Sequence, residues 1–307
     1  MRTTFIETLC RLAEGDERIW LLTADLGYSV LERFARTFPD RYVNVGVAEQ
    51  NMIGLAAGLG CSGKIPFVYS IANFPTFRCL EQIRNDVCYH ANNVKIVAVG
   101  GGYVYGVQGY THHGIEDLAI MRALPGMTVM APGDPVETRL ATDAVARLAG
   151  PCYLRLGKAN EAVVHENEPS FEVGKAILVS QGSDLTLIST GGMLPQTVAV
   201  ARRLAPLGIE ARVLSMPTVK PIDEEAIIQA AWQTGAILTI EEHSVTGGLG
   251  SAVADVLALS RVPAVRFVKF GIPDQVNHHV GSQNYLGRLI GDLFSAASSL
   301  VRRREAA

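Results

Sequence analysis

The sequence predicts an α/β protein with two domains, each a mostly parallel sheet flanked by helices. Short β-branched runs alternate with helical patterns along the chain, which indicates βα units around a sheet. At 307 residues the chain is long enough for two domains of ordinary size. A polar interval at 165–171 interrupts the alternation. We therefore predict a first domain at 1–165, a linker at 166–182 and a second domain at 183–307.

The first half begins with an amphipathic helix at 1–15, and a Gly- and Ala-rich helix begins at Glu49. Runs rich in Val, Ile and aromatic residues predict strands, and apolar residues three or four apart predict helices. The predicted strands are 19–23, 41–45, 65–69, 94–99, 127–130 and 152–155. The other predicted helices are 29–37, 74–89, 115–123 and 135–148.

The second half repeats the alternation. Its predicted strands are 185–189, 210–214, 236–240 and 264–267. Its predicted helices are 194–207, 224–231, 249–259 and 285–300. The Gly-rich turn at 241–250 lacks the GxGxxG spacing of a phosphate site, so we interpret it as a close-packed turn.

Composition excludes several classes of protein. With 19% charged residues and a formal charge of −3, the chain has no basic surplus for nucleic acid. Its N-terminus lacks the apolar core of a signal peptide, and no apolar run is long enough to cross a membrane. The five cysteines are scattered and free of CxxC spacing, so we expect reduced thiols and a cytoplasmic protein.

Glu49 is the one acidic residue at the start of an otherwise small and apolar helix, which we expect to be buried. One interpretation is helix capping, since acidic residues favour the positive end of the helix dipole. The other is chemical, because a buried carboxyl without a cationic partner has a raised pKa and can donate a hydrogen bond. On the residues alone, capping is favoured.

Residues 45–60 resemble the glutamate segment of the pyrimidine-binding domain in transketolases and 1-deoxy-xylulose-5-phosphate synthases, which use thiamine diphosphate. In that family the glutamate binds N1′ of the aminopyrimidine ring and activates the cofactor. The resemblance implies that Glu49 is this residue. The sequence also resembles the family at Ile71, Phe74 and Phe77, where side chains at a spacing of three enclose the pyrimidine. The spacing alone favours a helix face that is buried in the core. Phe74 is then the stacking residue, and Ile71 departs from the aromatic residue common in transketolases.

The loop at 100–114 follows a predicted strand, which places it at the carboxyl edge of the sheet. Its end resembles the family's Gly-x-Thr-His segment, which implies that His112 is a catalytic histidine facing the substrate. Two positions depart from the family: Gln108 stands where an acidic residue usually reads a sugar hydroxyl, and Gly100 stands where another histidine is usual. The departures imply a substrate other than a standard pentose phosphate, such as a modified sugar.

The resemblance extends to Arg2, Ser29 and Arg155, which match positions that contact the phosphate of a sugar phosphate in transketolases. Arginine suits such a role because its planar fork donates two hydrogen bonds at once. Asp25 matches an acidic position near the thiazolium, across the subunit contact.

Family members hold the diphosphate through Mg²⁺ bound by a Gly-Asp-Gly segment on a separate domain, and this sequence has no such segment. The resemblance therefore implies an N-terminal-section partner subunit that carries the metal ligands, a homodimer of this chain, and an α2β2 assembly. No metal ligand is expected on this chain.

The resulting prediction is the C-terminal subunit of a transketolase that transfers a two-carbon ketol unit between sugar phosphates. Three alternatives stay open. The first is the β subunit of a 2-oxoacid dehydrogenase E1, the second is an enzyme similar to 1-deoxy-xylulose-5-phosphate synthase, and the third is a non-catalytic assembly subunit.

Overall fold

The structure is a computed structural model that describes residues 1–301; the end of the predicted second domain, 302–307, lies outside the described residues. Its strands, in chain order, are β1 Ile19–Thr23, β2 Tyr42–Asn44, β3 Ile65–Ile71, β4 Lys95–Val99, β5 Thr128–Met130, β6 Cys152–Leu156, β7 Ile177–Ser180, β8 Leu185–Ser189, β9 Ala211–Ser215, β10 Thr218–Lys220, β11 Ala236–Ser244 and β12 Arg266–Ile272. Its α-helices are α1 Arg2–Gly15, α2 Glu32–Thr37, α3 Glu49–Cys61, α4 Leu80–Gln82, α5 Asp117–Ala123, α6 Pro135–Arg147, α7 Leu194–Leu204, α8 Glu224–Thr234, α9 Leu249–Leu259, α10 Gln283–Ile290 and α11 Leu293–Leu300.

The strands form two sheets, as predicted. The first has the order β10-β5-β6-β4-β3-β1-β2, and the second has the order β12-β11-β8-β9-β7. All pairings are parallel except β10 with β5 and β7 with β9. Because β3, β4 and β6 are buried on both faces by flanking helices, they are mainly apolar without alternation, and Lys95 in β4 and Arg155 in β6 are their buried charged residues.

Both short antiparallel strands were missed by the sequence pattern. β7, Ile177–Ser180, lies inside the segment predicted as a linker. β10, Thr218–Lys220, belongs in sequence to the second half but pairs with β5 of the first sheet. A three-residue edge strand carries almost no periodicity, so only its partner in the fold defines it. The domain boundaries themselves stay a prediction, and β10 ties the two halves together.

Two predicted helices are interrupted. Residues 74–89 form π turns at Phe74–Arg78 and Ile83–Cys88 that flank the short helix α4, instead of one regular helix. The predicted helix at 285–300 is two helices, because Gly291 has a φ of 136° and ends α10. A π turn in a helix is often found at a functional site, and the turn at Phe74–Arg78 contains two of the predicted site residues, Phe74 and Phe77.

The parallel strands of the first sheet place their carboxyl ends at one edge. Asp25 follows β1, Glu49 follows β2, Phe74 follows β3 and Lys158 follows β6. The loop at 100–114 follows β4 at the same edge. Ligands bind at this edge in open α/β sheets. Within residues 1–301, no helix has both the length and the apolar character that a membrane crossing needs.

Candidate cofactor and substrate site

Glu49 opens α3 and is buried, with 5% of the residue exposed. Its Oε1 accepts a hydrogen bond of 2.8 Å from Nη1 of Arg78. The carboxyl therefore has a cationic partner, so the condition on which the chemical interpretation depended is not met in this structure. Gln50 Nε2 also donates to the backbone oxygen of Arg78 at 3.0 Å, so the start of α3 is fastened to the π turn.

The helix that Glu49 opens is not buried on all sides. Gly54 and Gly58 are exposed, and a Cβ added at either would meet open space. Leu55 is 39% exposed and Val47, just before the helix, is 76% exposed. An exposed apolar face of this kind commonly marks an interaction surface. In the single chain, the expectation of a fully buried helix is therefore wrong.

The three residues that the resemblance places around the pyrimidine are not part of the buried core. Ile71 and Phe74 are half-buried, and Phe77 is 50% exposed. The guanidinium carbon of Arg78 lies 4.3 Å from the centroid of the Phe74 ring. One face of Phe74 is therefore covered by a planar group, the Arg78 guanidinium, that contacts Glu49 at the same time.

His112 lies beside this aromatic ring. Its imidazole centroid is 5.2 Å from that of Phe74, in an edge-to-face arrangement. Thr111 Oγ1 is 3.0 Å from its Nδ1, and Asn73 Nδ2 donates to the Thr111 backbone oxygen at 3.1 Å. Burial and, to a smaller extent, the charge of Arg78 lower the pKa of His112, so the ring is neutral near pH 7. His113, in contrast, is buried against Tyr103, which indicates a structural role.

Tyr105 lies near His112 and also near two cationic side chains, Arg2 and Lys158. The two ring centroids are 6.5 Å apart. Burial raises the pKa of Tyr105, and the nearby charge of Arg2 opposes that rise. Lys158, which is exposed, places its Nζ 5.0 Å from the Tyr105 ring centroid. Arg2 and Lys158 therefore form a positive patch near His112.

Arg155, the third residue predicted to contact phosphate, makes several contacts within the chain. It is buried, with 5% of its side chain exposed, and its Nε donates to Asp117 Oδ2 at 2.9 Å. Its Nη2 donates to the backbone oxygens of Gly114 and Glu242 at 2.7 and 2.9 Å. Arg155 thus fastens the end of the His112 loop to the second sheet. Lys158, three positions later, was missed because one lysine in a loop carries no pattern.

Asp25 and Ser29 lie at the end of β1, and both have a positive φ, 56° and 62°. Asp25 Oδ1 accepts a hydrogen bond from the Tyr28 hydroxyl at 2.8 Å, and its backbone N–H donates to Asn44 at 2.9 Å. The backbone N–H of Ser29 donates to Glu32 at 2.7 Å, which leaves its exposed hydroxyl outside that contact. Both are held by local bonds at the same edge as Glu49.

The two positions that depart from the family pattern, Gln108 and Gly100, have different surroundings. Gln108 is exposed in a short turn at Gly106–Gln108, so its amide faces solvent. Gly100 has a φ of 83°, and a Cβ there would collide with the ring of Tyr105. A histidine at that position would therefore require the Tyr105 ring to move and would have to adopt a strained positive φ.

Two further motifs have structural roles. Glu241 Oε2 and Oε1 accept hydrogen bonds from the amides of Leu249 and Gly250 at 2.7 and 2.8 Å, so a protein carboxylate occupies the N-terminus of α9. This confirms a close-packed turn at 241–250. Asp134, Glu137 and His165 lie close enough to hold a metal ion. However, Asp134 caps α6 and also accepts the amides of Val164 and His165, so its oxygens are already in use.

Two family models match the chain. The transketolase pyrimidine-binding domain matches residues 1–162, and the transketolase C-terminal domain matches residues 174–286. A solved split-gene transketolase, an inactive β4 tetramer, has a TM-score of 0.86 at 39% identity and covers 98% of both chains.

Relatives with similar sequences are named as transketolase subunits or as a 1-deoxy-D-xylulose-5-phosphate synthase. The chain is 43% identical over 276 residues to one subunit of the apulose-4-phosphate transketolase of Phocaeicola vulgatus, covering 89% of this chain and 88% of that one. It is 40% identical to the 6-deoxy-6-sulfo-D-fructose transketolase subunit SqwH of Clostridium sp. strain MSTE9, covering 99% and 95%. A 1-deoxy-D-xylulose-5-phosphate synthase of Desulforudis audaxviator is 36% identical over 98% of this chain, which spans 48% of that enzyme.

Proposed function

This chain belongs to the transketolase family, and on that premise we propose that it is the C-terminal subunit of a heteromeric, thiamine diphosphate-dependent transketolase. It transfers a two-carbon ketol unit from a ketose phosphate to an aldose phosphate. The enzyme is active only when an N-terminal-section subunit supplies the remaining half of the cofactor site.

The observation that carries this proposal is that one planar group contacts both the carboxyl of Glu49 and the ring face of Phe74. The guanidinium of Arg78 stacks on Phe74 at 4.3 Å while it donates to Glu49 at 2.8 Å. A planar nitrogen-containing group therefore fits between the acid and the ring, and an aminopyrimidine has the same shape and hydrogen-bonding character. Glu49 would bind N1′ of the ring through its carboxyl, Phe74 would stack on it, and Ile71 and Phe77 would flank it.

Thiamine diphosphate supplies the nucleophile and the electron sink for ketol transfer. The contribution of this chain is orientation and proton handling. Glu49 would hold a proton shared with N1′. His112, neutral near pH 7, would donate a hydrogen bond to a substrate oxygen and accept one through its other ring nitrogen. Asp25 would lie near the thiazolium across the subunit contact.

The anionic end of the substrate would bind at the positive patch. We assign it to Arg2 and Lys158, with the Ser29 hydroxyl as a further donor, because both cations lie near Tyr105 beside His112. Arg155, for which the same role was expected, is buried and bound to Asp117 and two backbone oxygens. Its role is to hold the His112 loop in place.

Gln108 favours a sugar other than a standard pentose phosphate. An amide both donates and accepts hydrogen bonds, whereas the usual acidic residue only accepts them. Two relatives are named for apulose-4-phosphate and 6-deoxy-6-sulfo-D-fructose, which are sugars of this kind. We propose a modified sugar that carries an anionic group.

The partner would provide the Mg²⁺ ligands and the diphosphate site, since this sequence has no Gly-Asp-Gly segment. Two copies of this chain and two partners would form an α2β2 assembly. The exposed α3 face with Gly54, Leu55 and Gly58 would be covered in it.

The test is to assay the chain and the partner, separately and together, with thiamine diphosphate, Mg²⁺ and a panel of ketose and aldose phosphates. We expect ketol transfer from the mixture only. Glu49→Gln in the mixture should lower kcat by about 10²–10⁴-fold, because it removes the shared proton. The matched control is Glu81→Gln, at an exposed glutamate of the neighbouring helix, which should behave as wild type.

The same assay, extended with 2-oxoacids as substrates, separates the alternatives. Turnover of 2-oxoacids without ketol transfer would identify an E1-type subunit. Formation of 1-deoxy-xylulose-5-phosphate would identify a synthase, an alternative that the Desulforudis audaxviator relative favours. A mixture whose activity is unchanged in Glu49→Gln would indicate an assembly subunit.

A further inference from the structure

Arg78 is the one charged side chain in direct contact with both Glu49 and Phe74 among the described residues. Its Nη1 lies 2.8 Å from Glu49 Oε1, and its guanidinium carbon lies 4.3 Å from the Phe74 centroid. Glu49 has 6% of its side chain exposed, whereas Arg78 has 50% exposed. A guanidinium suits this position because it is planar, stacks on aromatic faces and donates hydrogen bonds to a carboxylate.

The proposed function places two requirements on the pyrimidine ring: it must stack on Phe74, and it must reach the carboxyl of Glu49. Arg78 already meets both requirements. Two planar groups cannot occupy the same face of one phenyl ring and the same carboxyl oxygen. The guanidinium and the pyrimidine ring therefore exclude each other.

We propose that Arg78 is an internal stand-in for the pyrimidine ring, which occupies its place between Glu49 and Phe74 until the cofactor displaces it. This inference rests on the proposed function for the identity of the displacing group. The buried carboxyl is thereby paired while the cofactor is absent, as buried charges in proteins require.

Displacement needs only the side chain to move. The backbone oxygen of Arg78 is held by Gln50 Nε2 at 3.0 Å, and Thr76 Oγ1 bonds the Ala72 oxygen at 2.5 Å, so the π turn is fastened on both sides. The Arg78 side chain itself is half in solvent. A long side chain with a solvated face can rotate out while the turn stays in place.

The stand-in also acts on His112. The charge of Arg78 is the second cause, after burial, of the lowered pKa of His112. When Arg78 leaves, that repulsion weakens and His112 binds a proton more readily. Arrival of the ring would thus change the proton affinity of the histidine that faces the substrate.

The test is cofactor affinity in the assembled complex, measured by calorimetry with thiamine diphosphate and Mg²⁺. If Arg78 fills the place about nine-tenths of the time, Arg78→Gln should tighten binding by about tenfold, because the competent state becomes fully populated. The control is Arg84→Gln, at an exposed arginine bound only to Asn85 among described residues, which should leave the affinity unchanged. Unchanged or weaker binding in Arg78→Gln overturns the inference, since Arg78 would then support the ring or be irrelevant to it.

A second measurement does not depend on the cofactor. NMR titration of the His112 ring in the chain alone should show a higher pKa in Arg78→Gln than in wild type and Arg84→Gln. An unchanged value contradicts the contact. Failure of the proposed function is distinguishable: if Glu49→Gln does not weaken cofactor binding in the complex, that function fails. If Glu49→Gln weakens binding but Arg78→Gln does not strengthen it, only the stand-in is refuted.

Discussion

The cationic side chains at this sheet edge are of two kinds: one is buried and bonded within the chain, and the others reach the surface. Arg155 is buried, with its Nε bound to Asp117 and its Nη2 bound to two backbone oxygens. Lys158 is exposed over Tyr105, and Arg2 approaches the same ring. An exposed cation can turn toward an anionic substrate at little cost, whereas a buried ion pair loses its partner if it turns outward. Position in the fold therefore supports the roles proposed for Lys158 and Arg2.

Lys158→Ala should raise KM for a phosphorylated or sulfonated substrate by about 10–100-fold, the effect of losing one hydrogen bond to a charged group. The KM for an uncharged sugar should change little. Steady-state kinetics of the assembled enzyme would check this, with Lys175→Ala as the control, since Lys175 pairs with Asp223 and Glu225 instead. A KM that rises equally for charged and uncharged sugars would contradict the assignment.

At the scale of elements, the start of α6 is joined to a segment that lies about 30 residues later in the chain. Asp134 caps α6 and also binds the amides of Val164 and His165, at the point where the chain leaves the first sheet. His165 Nε2 lies 2.8 Å from Glu137 Oε1 in the first turn of the same helix. This cluster thus fastens the segment after β6 to α6 and requires no metal ion for its charges to be satisfied.

The hydrogen bond to Glu137 raises the pKa of His165 above its ordinary value, and burial opposes that rise. A raised histidine pKa stabilises the fold fully below the ordinary value, and that stability is lost as pH rises through the higher folded value. His165→Gln should therefore lower Tm more at pH 5.5 than at pH 8.5. Calorimetric scans at both pH values check this, and a larger deficit at pH 8.5 would contradict the ion pair.

At the scale of the whole molecule, the single chain leaves its functional edge partly uncovered. Tyr28, Val47, Leu55 and Phe77 are between 39% and 76% exposed, and all lie near the carboxyl edge of the first sheet. Large exposed apolar side chains clustered beside a candidate site indicate a surface that another chain covers. The related split-gene transketolase, solved as an inactive β4 tetramer, has such chains assembled with one another.

Leu55→Asp places a charge on the exposed face of α3 and should block self-association of this chain, because a carboxylate in an apolar contact is costly to desolvate. Sedimentation velocity should then show a smaller species than wild type at the same concentration. The control is Leu207→Asp, at a leucine of the second domain that is 62% exposed, which should leave the assembly unchanged. An unaltered assembly in Leu55→Asp would remove α3 from the interface.

Much of this architecture could be predicted from local pattern. Strands β1 and β8 were predicted to the residue, and the two sheets, the helix that begins at Glu49 and the loop that contains His112 were also predicted. Periodicity over 5 to 15 residues, given by the pattern of apolar side chains, is enough to determine which element forms. The family relationship was also carried by short motifs, since Glu49 and its glycines are adjacent in sequence.

The tertiary structure decided which side chains meet. Arg78 pairs with Glu49 across 29 positions, Arg155 with Asp117 across 38, and β10 joins the first sheet from the second half. Local periodicity carries no information about such contacts, because they depend on how strands order in the sheet and where turns end. For the same reason the sequence identified Glu49, but only the fold revealed the arginine beside it.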